Sequence, residues 1–78
     1  MISRTVTIVN RLGLHARAAT RLVNCASGFE ATVQVVKGAR RVNGKSIMGI
    51  LTLAAGPGTE IVIEAEGADA AQALLEAR

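Results

Sequence analysis

Alternating apolar and polar residues predict four short strands along this chain. The clearest is the last, in which Ile61, Ile63 and Ala65 alternate with mainly acidic residues, as expected for a strand with one buried and one solvated face. Lys37 and Gly38 supply a turn between the second and third strands, which predicts an antiparallel hairpin. The predicted strands are residues 4–9, with Val6 and Ile8 on one face, and residues 31–36, 39–42 and 60–66.

Apolar residues at helical spacing predict three helices between and after the strands. Gly28 ends the first of them, and Ser46 and Asp69 are suitable N-caps for the second and third. The second helix is expected over residues 47–54, before the chain turns at a Gly-Pro-Gly sequence. The apolar stripe of the first helix consists of Ala19, Leu22, Val23 and Ala26, and that of the third consists of Ala70, Ala73, Leu74 and Ala77.

The second predicted helix has apolar residues on two sides, and a thin two-layer domain cannot easily bury both. We therefore expect one side to pack on the sheet and the other to stay exposed. On a helical projection, Ile50, Leu53 and Ala54 share one side, whereas Ile47, Met48 and Leu51 share the other.

The order of the predicted elements is strand, helix, strand, strand, helix, strand, helix. With 78 residues and neither linkers nor repeats, the chain is long enough for one domain, residues 1–78, with one thin aliphatic core. We expect an α+β fold, an open-faced α/β sandwich in which three helices cover one face of a four-stranded antiparallel sheet.

Composition limits the classes of protein to which the chain can belong. It holds one histidine, His15, and one cysteine, Cys25, so neither a metal site nor an internal disulfide is expected. The lack of a secretory signal pattern and of a ~20-residue apolar run predicts a soluble cytoplasmic protein with no membrane insertion. The net charge is +3 and basic residues concentrate in the first 45 positions, so one side of the fold should attract anions or acidic proteins.

His15 lies at the predicted start of the first helix, after a turn over residues 10–13. A helix N-terminus stabilises anions through its unpaired N–H groups and its dipole, and Arg17 in the first turn can add charge-assisted hydrogen bonds. An unperturbed imidazole titrates near pH ~6.5 and so offers a nucleophilic lone pair at neutral pH. His15 is therefore a candidate phosphoryl acceptor, although the local spacing alone favours an ordinary surface or capping histidine.

Four segments are spaced along nearly the whole chain: NRLGLHAR at residues 10–17, Gly28-Phe29, KSIMGI at residues 45–50, and Gly58-Thr59 before a strand that ends in EAEG at residues 64–67. In these segments and their spacing the chain resembles the histidine-containing phosphocarrier (HPr) family of the bacterial phosphotransferase system. It departs from the family at Ala18, where a proline is usual and would stiffen the first helical turn.

The resemblance implies a phosphoryl carrier and not an enzyme. It implies that enzyme I, loaded from phosphoenolpyruvate, phosphorylates a ring nitrogen of His15, that Arg17 steadies the group, and that IIA-type domains accept it. No cofactor is implied, and a monomer is expected. Because the family also includes regulatory carriers of a nitrogen branch, sugar uptake and nitrogen regulation both stay open as its role.

Ser46 has two interpretations. On structural grounds it is a helix N-cap, whereas the resemblance implies a regulatory phosphorylation site for an HPr serine kinase, which would add negative charge near the docking face. The resemblance also places the second helix beside His15, so the exposed sides of the first two helices become the expected docking surface for partner proteins. Its expected residues are Thr20, Arg21, Asn24, Ile47, Met48 and Leu51.

Three other interpretations are weaker. Gly44-Lys45-Ser46 suggests a phosphate-binding loop, but Gly38 is one residue too distant for the required spacing. The basic first half suggests a nucleic-acid-binding module, yet Phe29 is the sole aromatic residue and cannot form a stacking platform, so no nucleic-acid partner is expected. A purely regulatory protein of the same fold, acting through Ser46, would leave the histidine unexplained.

Overall fold

A computed structural model describes residues 1–9 and 11–76, which form strands and helices in the predicted order. Two residues of the sequence analysis, Asn10 in the turn and Ala77 in the third apolar stripe, lie outside the described residues. The strands are β1 (Ile2–Thr7), β2 (Thr32–Lys37), β3 (Arg40–Asn43) and β4 (Glu60–Glu66), and the helices are α1 (Ala16–Ser27), α2 (Ile47–Thr52) and α3 (Ala70–Glu76).

The strands form one antiparallel sheet with the order β1-β4-β2-β3. β4 pairs with β1, where Ile2 lies opposite Ala65, and on its other side with β2, where Val35 lies opposite Ile63. The helices pack on one face of this sheet, and the other face is open. The predicted α+β open-faced sandwich is therefore confirmed.

The core lies between the sheet and the helices and is aliphatic throughout the described residues. Ile61, Ile63 and Ala65 of β4 all face it, as predicted. Burying each large aliphatic side chain contributes roughly 1.5–3 kcal/mol to the stability of the fold. The remaining core residues are Ile8, Ala19, Val23, Ala26, Ala31, Val33, Val35, Ile50, Leu53, Ala55, Ala70, Ala73 and Leu74, while Leu22 is half-buried beside them.

The strand boundaries differ from the prediction by one or two residues in three strands. β1 lies two residues earlier than expected, because it follows the pairing with β4. β2 and β3 each lie one residue later, so that Lys37 pairs with Arg40 and the turn consists of Gly38 and Ala39. Gly38 has a φ of 58°, which glycine adopts without a steric penalty, and this explains where the hairpin reverses.

α2 is shorter than predicted and buries one side. Ile50 and Leu53 are buried, as expected. The placement of Ala54 on the same side is wrong, because the backbone leaves the helix with a φ of 52° at this residue and leaves it exposed. The other side stays mostly at the surface: Ile47 is 38% exposed and Met48 is 71% exposed, whereas Leu51 is half-buried against the core.

Asp69 precedes α3 as predicted, but its side chain has a different role from a helix cap. Its backbone carbonyl accepts a hydrogen bond from the Ala73 N–H at 3.0 Å. Its carboxylate oxygens accept hydrogen bonds from the backbone N–H groups of Glu30 at 2.9 Å and Ala31 at 2.8 Å. Asp69 therefore ties the start of α3 to the start of β2.

Candidate functional site

His15 is the N-cap residue of α1, and its half-buried ring is turned towards the helix backbone. Its backbone is extended, with φ −75° and ψ 177°, and its carbonyl accepts a hydrogen bond from the Ala19 N–H at 2.8 Å. The ring Nδ1 accepts a hydrogen bond from the Arg17 backbone N–H at 3.2 Å. His15 thus lies where the sequence predicts it, at the start of the first helix.

The hydrogen bond to Nδ1 indicates which ring nitrogen of His15 is unprotonated. A ring nitrogen that accepts a hydrogen bond carries a lone pair and no proton, so the neutral His15 ring has its proton on Nε2. The Nδ1 lone pair faces the first turn of α1, whose leading N–H groups lack intrahelical partners and form the positive end of the helix dipole. A dianionic group bonded to Nδ1 would therefore lie in a favourable field.

The loop before His15 rests on the segment that follows α2. Gly13 has a φ of 69°, and a Cβ at this position would strike the Ala55 carbonyl oxygen and come within 2.9 Å of the Gly56 Cα. The Leu14 N–H donates to the same Ala55 carbonyl at 2.8 Å. The loop can approach this closely because residue 13 is glycine.

Helices α1 and α2 pack against each other. The side chains expected to dock partners lie on the outer sides of these two helices. Thr20 is half-buried, and its hydroxyl donates to the Ala16 carbonyl at 2.8 Å. Leu51 packs partly against the core and contributes less surface than expected. The exposed members of the expected site are Arg17, Arg21, Asn24, Ile47 and Met48.

A family model described as "PTS HPr component phosphorylation site" matches residues 2–77 of the chain. The chain belongs to this HPr family. It is 50% identical over 74 residues to phosphocarrier protein HPr of Neisseria meningitidis serogroup A, covering 95% of this chain and 83% of that relative. Phosphocarrier protein NPr of Shewanella violacea is 45% identical over 73 residues, which are 94% of this chain and 80% of that relative.

Solved HPr structures have the same fold. HPr-C-His from Thermoanaerobacter tengcongensis has a TM-score of 0.95 at 40% identity, covering 99% of this chain and 86% of that chain. An HPr dimer from the same organism gives a TM-score of 0.78 at 40% identity, covering 99% and 88% of the two chains. The family resemblance seen in the sequence is therefore confirmed, and the chain is an HPr phosphocarrier of the phosphotransferase system.

Ser46 is the N-cap of α2 in this HPr chain, as predicted. Its hydroxyl accepts a hydrogen bond from the Gly49 N–H at 3.1 Å, and its backbone is extended, with φ −117° and ψ 113°. The neighbouring Lys45 is anchored twice: its N–H donates to the Asn43 side-chain oxygen at 2.8 Å, and its Nζ donates to the Phe29 carbonyl at 2.8 Å. Lys45 thus ties the start of α2 to the end of β3 and to the segment before β2.

The basic residues of this HPr chain differ in whether their side chains form hydrogen bonds or ion pairs within the fold. The Lys37 Nζ donates at 3.0 Å to the carbonyl of the residue that ends α2. Arg41 and Glu64 form the one ion pair among the described residues. Arg17 and Arg21 are exposed and have no such pairing. Positive charge of the kind predicted to attract acidic partners is therefore available on α1.

Two exposed apolar residues close to His15 in the chain escaped the sequence analysis. Val9 is 87% exposed and Leu12 is 74% exposed. The alternating pattern places Val9 in the first strand, but this strand ends at Thr7. An apolar residue in a turn, directly before a glycine, was the signal that could have identified Leu12.

Within residues 1–9 and 11–76, no group of three or more His, Cys, Asp or Glu side chains could hold a metal ion. In the same part of the chain, none of the helices has the length and apolar character needed to span a membrane.

Proposed function

We propose that His15 accepts a phosphoryl group on Nδ1 from phosphorylated enzyme I and passes it to IIA-type domains of the sugar phosphotransferase system. The observation that carries this proposal is the 3.2 Å hydrogen bond from the Arg17 N–H, which aims the Nδ1 lone pair at a helix N-terminus. The proposal treats residues 1–78 as one cytoplasmic domain that acts without a cofactor.

The proposed transfer is a displacement at phosphorus. The Nδ1 lone pair of His15 forms the new N–P bond while the bond between phosphorus and the donor side chain breaks, and the donor keeps that electron pair. The Arg17 N–H that now binds Nδ1 can then donate to a phosphoryl oxygen, and the exposed Arg17 guanidinium can neutralise charge on the others. In the second transfer a nucleophile of the acceptor attacks the phosphorus, the N–P bond breaks and its electron pair returns to Nδ1, so the carrier is regenerated unchanged.

Partners are proposed to dock on the exposed sides of α1 and α2. Met48 and Ile47 supply an apolar centre, and Arg21 supplies an exposed positive charge on the neighbouring helix. Flexible methionine surfaces adapt to several partners, and a basic rim speeds encounter with acidic ones. The proposed docking set is Thr20, Arg21, Asn24, Ile47, Met48 and Leu51.

The decisive experiment is incubation of the chain with enzyme I and phosphoenolpyruvate. We expect an acid-labile phosphate on the wild-type chain and none on His15→Ala. Arg17→Ala should be labelled more slowly, whereas Arg40→Ala, which removes an equal charge from the β2–β3 hairpin, should keep the wild-type rate. Labelling of His15→Ala would overturn the assignment.

We further propose that a serine kinase regulates the carrier by phosphorylating Ser46. A phosphoserine would add about two negative charges at the docking helix and repel acidic partners. Ser46→Asp and Ser46→Asn both retain a capping side chain, but only the first adds charge. We expect slower phosphoryl acceptance for Ser46→Asp alone, and equal rates for the two variants would contradict regulation by charge.

The carrier is proposed to act as a monomer, although the family includes the HPr dimer from Thermoanaerobacter tengcongensis. Light scattering over the protein concentrations of the transfer assay should give the mass of one chain. A mass of two chains at those concentrations would contradict this proposal.

A further inference from the structure

The position of His15 depends on a carbonyl that belongs to the segment after α2. The Leu14 N–H donates to the Ala55 carbonyl at 2.8 Å, and Gly13 packs against the same peptide group. Among the described residues 11–14, this is the one hydrogen bond that joins the backbone to the rest of the fold. A shift of the Ala55 carbonyl would therefore move the backbone on which the imidazole is mounted.

Lys37 holds the two peptide groups directly before Ala55. Its Nζ donates to the Leu53 carbonyl at 3.0 Å and reaches the Ala54 carbonyl at 3.4 Å. The last carbonyls of a helix lack intrahelical partners and form the negative end of its dipole, so a cation is favourable there. Lys37 itself is half-buried and is the last residue of β2, so the sheet fixes its backbone.

Ala54 is the residue that this contact constrains. It has a φ of 52°, and among the described residues it is the one non-glycine residue with a positive φ. The left-handed conformation is unfavourable for alanine because Cβ approaches the following carbonyl, so the surrounding structure must hold it. The carbonyls bound by Lys37 belong to the two peptide groups that Ala54 joins, so one ammonium group restrains both rotations of that residue.

We propose that Lys37 is a positioning residue for phosphoryl transfer at His15. Lys37 acts through the backbone: it keeps Ala54 left-handed, this orients the Ala55 carbonyl, and the carbonyl fixes Leu14 directly before the acceptor. For its effect on transfer the inference rests on the proposed function, and its structural part stands independently.

The test is Lys37→Met, which keeps a long apolar side chain and removes the ammonium group. Hydrogen exchange of the Leu14 amide, followed by NMR, should become faster because its acceptor is no longer held. Phosphoryl transfer from enzyme I should slow about tenfold in kcat with KM unchanged, since a small misplacement of a reacting group lowers the rate without altering docking. An unchanged Leu14 exchange rate, or a loss confined to KM, would overturn the proposal.

Two further variants separate positioning from a loss of charge. Arg40→Met removes an equal charge from the same hairpin, and Arg40 contacts the Thr52 hydroxyl at 3.2 Å instead of the backbone after α2. Arg40→Met should retain the wild-type rates of Leu14 amide exchange and of phosphoryl transfer. Adding Ala54→Gly to Lys37→Met should restore transfer, because glycine adopts the left-handed conformation without help.

The control and rescue variants each have an outcome that would contradict a positioning role for Lys37. The proposal would be contradicted if Arg40→Met slowed phosphoryl transfer as much as Lys37→Met does. It would also be contradicted if adding Ala54→Gly to Lys37→Met did not restore the transfer rate. If the wild-type chain is not labelled at all, the proposed function fails, and Leu14 exchange still decides whether Lys37 holds the loop.

Discussion

The two helix N-termini at His15 and Ser46 share one backbone arrangement but present different side-chain groups. Each cap is an extended residue whose side chain accepts a backbone hydrogen bond, from Arg17 at 3.2 Å and from Gly49 at 3.1 Å. A neutral imidazole nitrogen is already a nucleophile at neutral pH, whereas a hydroxyl needs a base or a kinase to activate it. This difference is consistent with the two proposals, direct transfer at His15 and kinase-dependent modification at Ser46.

The two N-termini also differ in how they are attached to the fold. Beside Ser46, the Lys45 Nζ donates to the Phe29 carbonyl at 2.8 Å. The two residues after Phe29 are held in turn, because their backbone N–H groups donate to the Asp69 carboxylate. The described residues 11–14 before His15 have one backbone hydrogen bond to the segment after α2. We therefore expect the Ser46 end to be rigid and the His15 end to depend on a few close contacts.

Gly13→Ala should give the largest loss in the free energy of unfolding, because it disrupts the contact between the loop before His15 and the segment after α2. The new methyl group would meet the Ala55 carbonyl and force a left-handed alanine, at a combined cost of about 2–4 kcal/mol. Gly38→Ala is a matched control: its φ is 58°, but nothing lies within 4 Å of the added Cβ, so about 1 kcal/mol is expected. Urea unfolding measures both, and equal losses would show that the loop at His15 accommodates a side chain.

Local patterns are sufficient to predict the last strand and the starts of the two helices that begin at these sites. The alternation in β4 predicts residues 60–66, as observed, because period-two burial over seven residues has no helical alternative. Ser46 begins α2 and Gly28 ends α1 as predicted, since caps act over a few residues. The placement of His15 at the start of α1 follows from the same local signals.

Contacts between distant parts of the chain could not be predicted in this way. A carboxylate before a helix is typical of a cap, yet Asp69 binds N–H groups of a segment that the sheet brings beside it. The left-handed Ala54 has no local signal, because alanine is a strong helix former and Lys37 stabilises its conformation from another element. The direction of Nδ1 likewise depends on the ring rotamer, which the residue pattern does not specify.

A second prediction compares the two caps directly through Ser46→Ala and His15→Ala. Losing the Ser46 cap should cost about 1 kcal/mol in the free energy of unfolding, because α2 is only six residues long and depends on its ends. His15→Ala should cost less, since the twelve-residue α1 is also held by buried Ala19, Val23 and Ala26. Thermal unfolding measures both. A larger loss for His15→Ala would mean that the imidazole serves mainly as a structural cap.

Ala18→Pro should have a smaller effect, of opposite sign. A proline in the first helical turn removes no intrahelical hydrogen bond and reduces the freedom of the unfolded chain, so stability should rise by about 0.4–1 kcal/mol. Asn24→Pro, in the interior of the same helix, is the control and should be strongly destabilising. A destabilised Ala18→Pro would indicate that the N–H of residue 18 has a structural role at the His15 end.

The smallest effect is expected from Asp69 and appears only in acid. The hydrogen bond from the Glu30 N–H lowers the pKa of Asp69 from its ordinary value of 3.8, partial desolvation opposes this, and the Ala31 N–H and the charge of Lys45 lower the pKa further. A carboxyl whose pKa is lower in the folded state stabilises the fold fully above the unfolded pKa. The contribution is lost as the pH falls below about 3.8 and through the lowered folded value.

Urea midpoints measured from pH 6 to pH 2 should therefore decline in this range for the wild-type chain, and less steeply for Asp69→Asn. Solvent reaches this carboxylate, so screening keeps the difference small. Glu66→Gln, an exposed carboxylate at the end of β4, is the control and should follow the wild-type curve. Because Asp69 holds the segment that anchors Lys45, acid should loosen the Ser46 end first. Faster amide exchange at Leu14 than at Glu30 below pH 3.8 would contradict this, because the His15 end would then have loosened first.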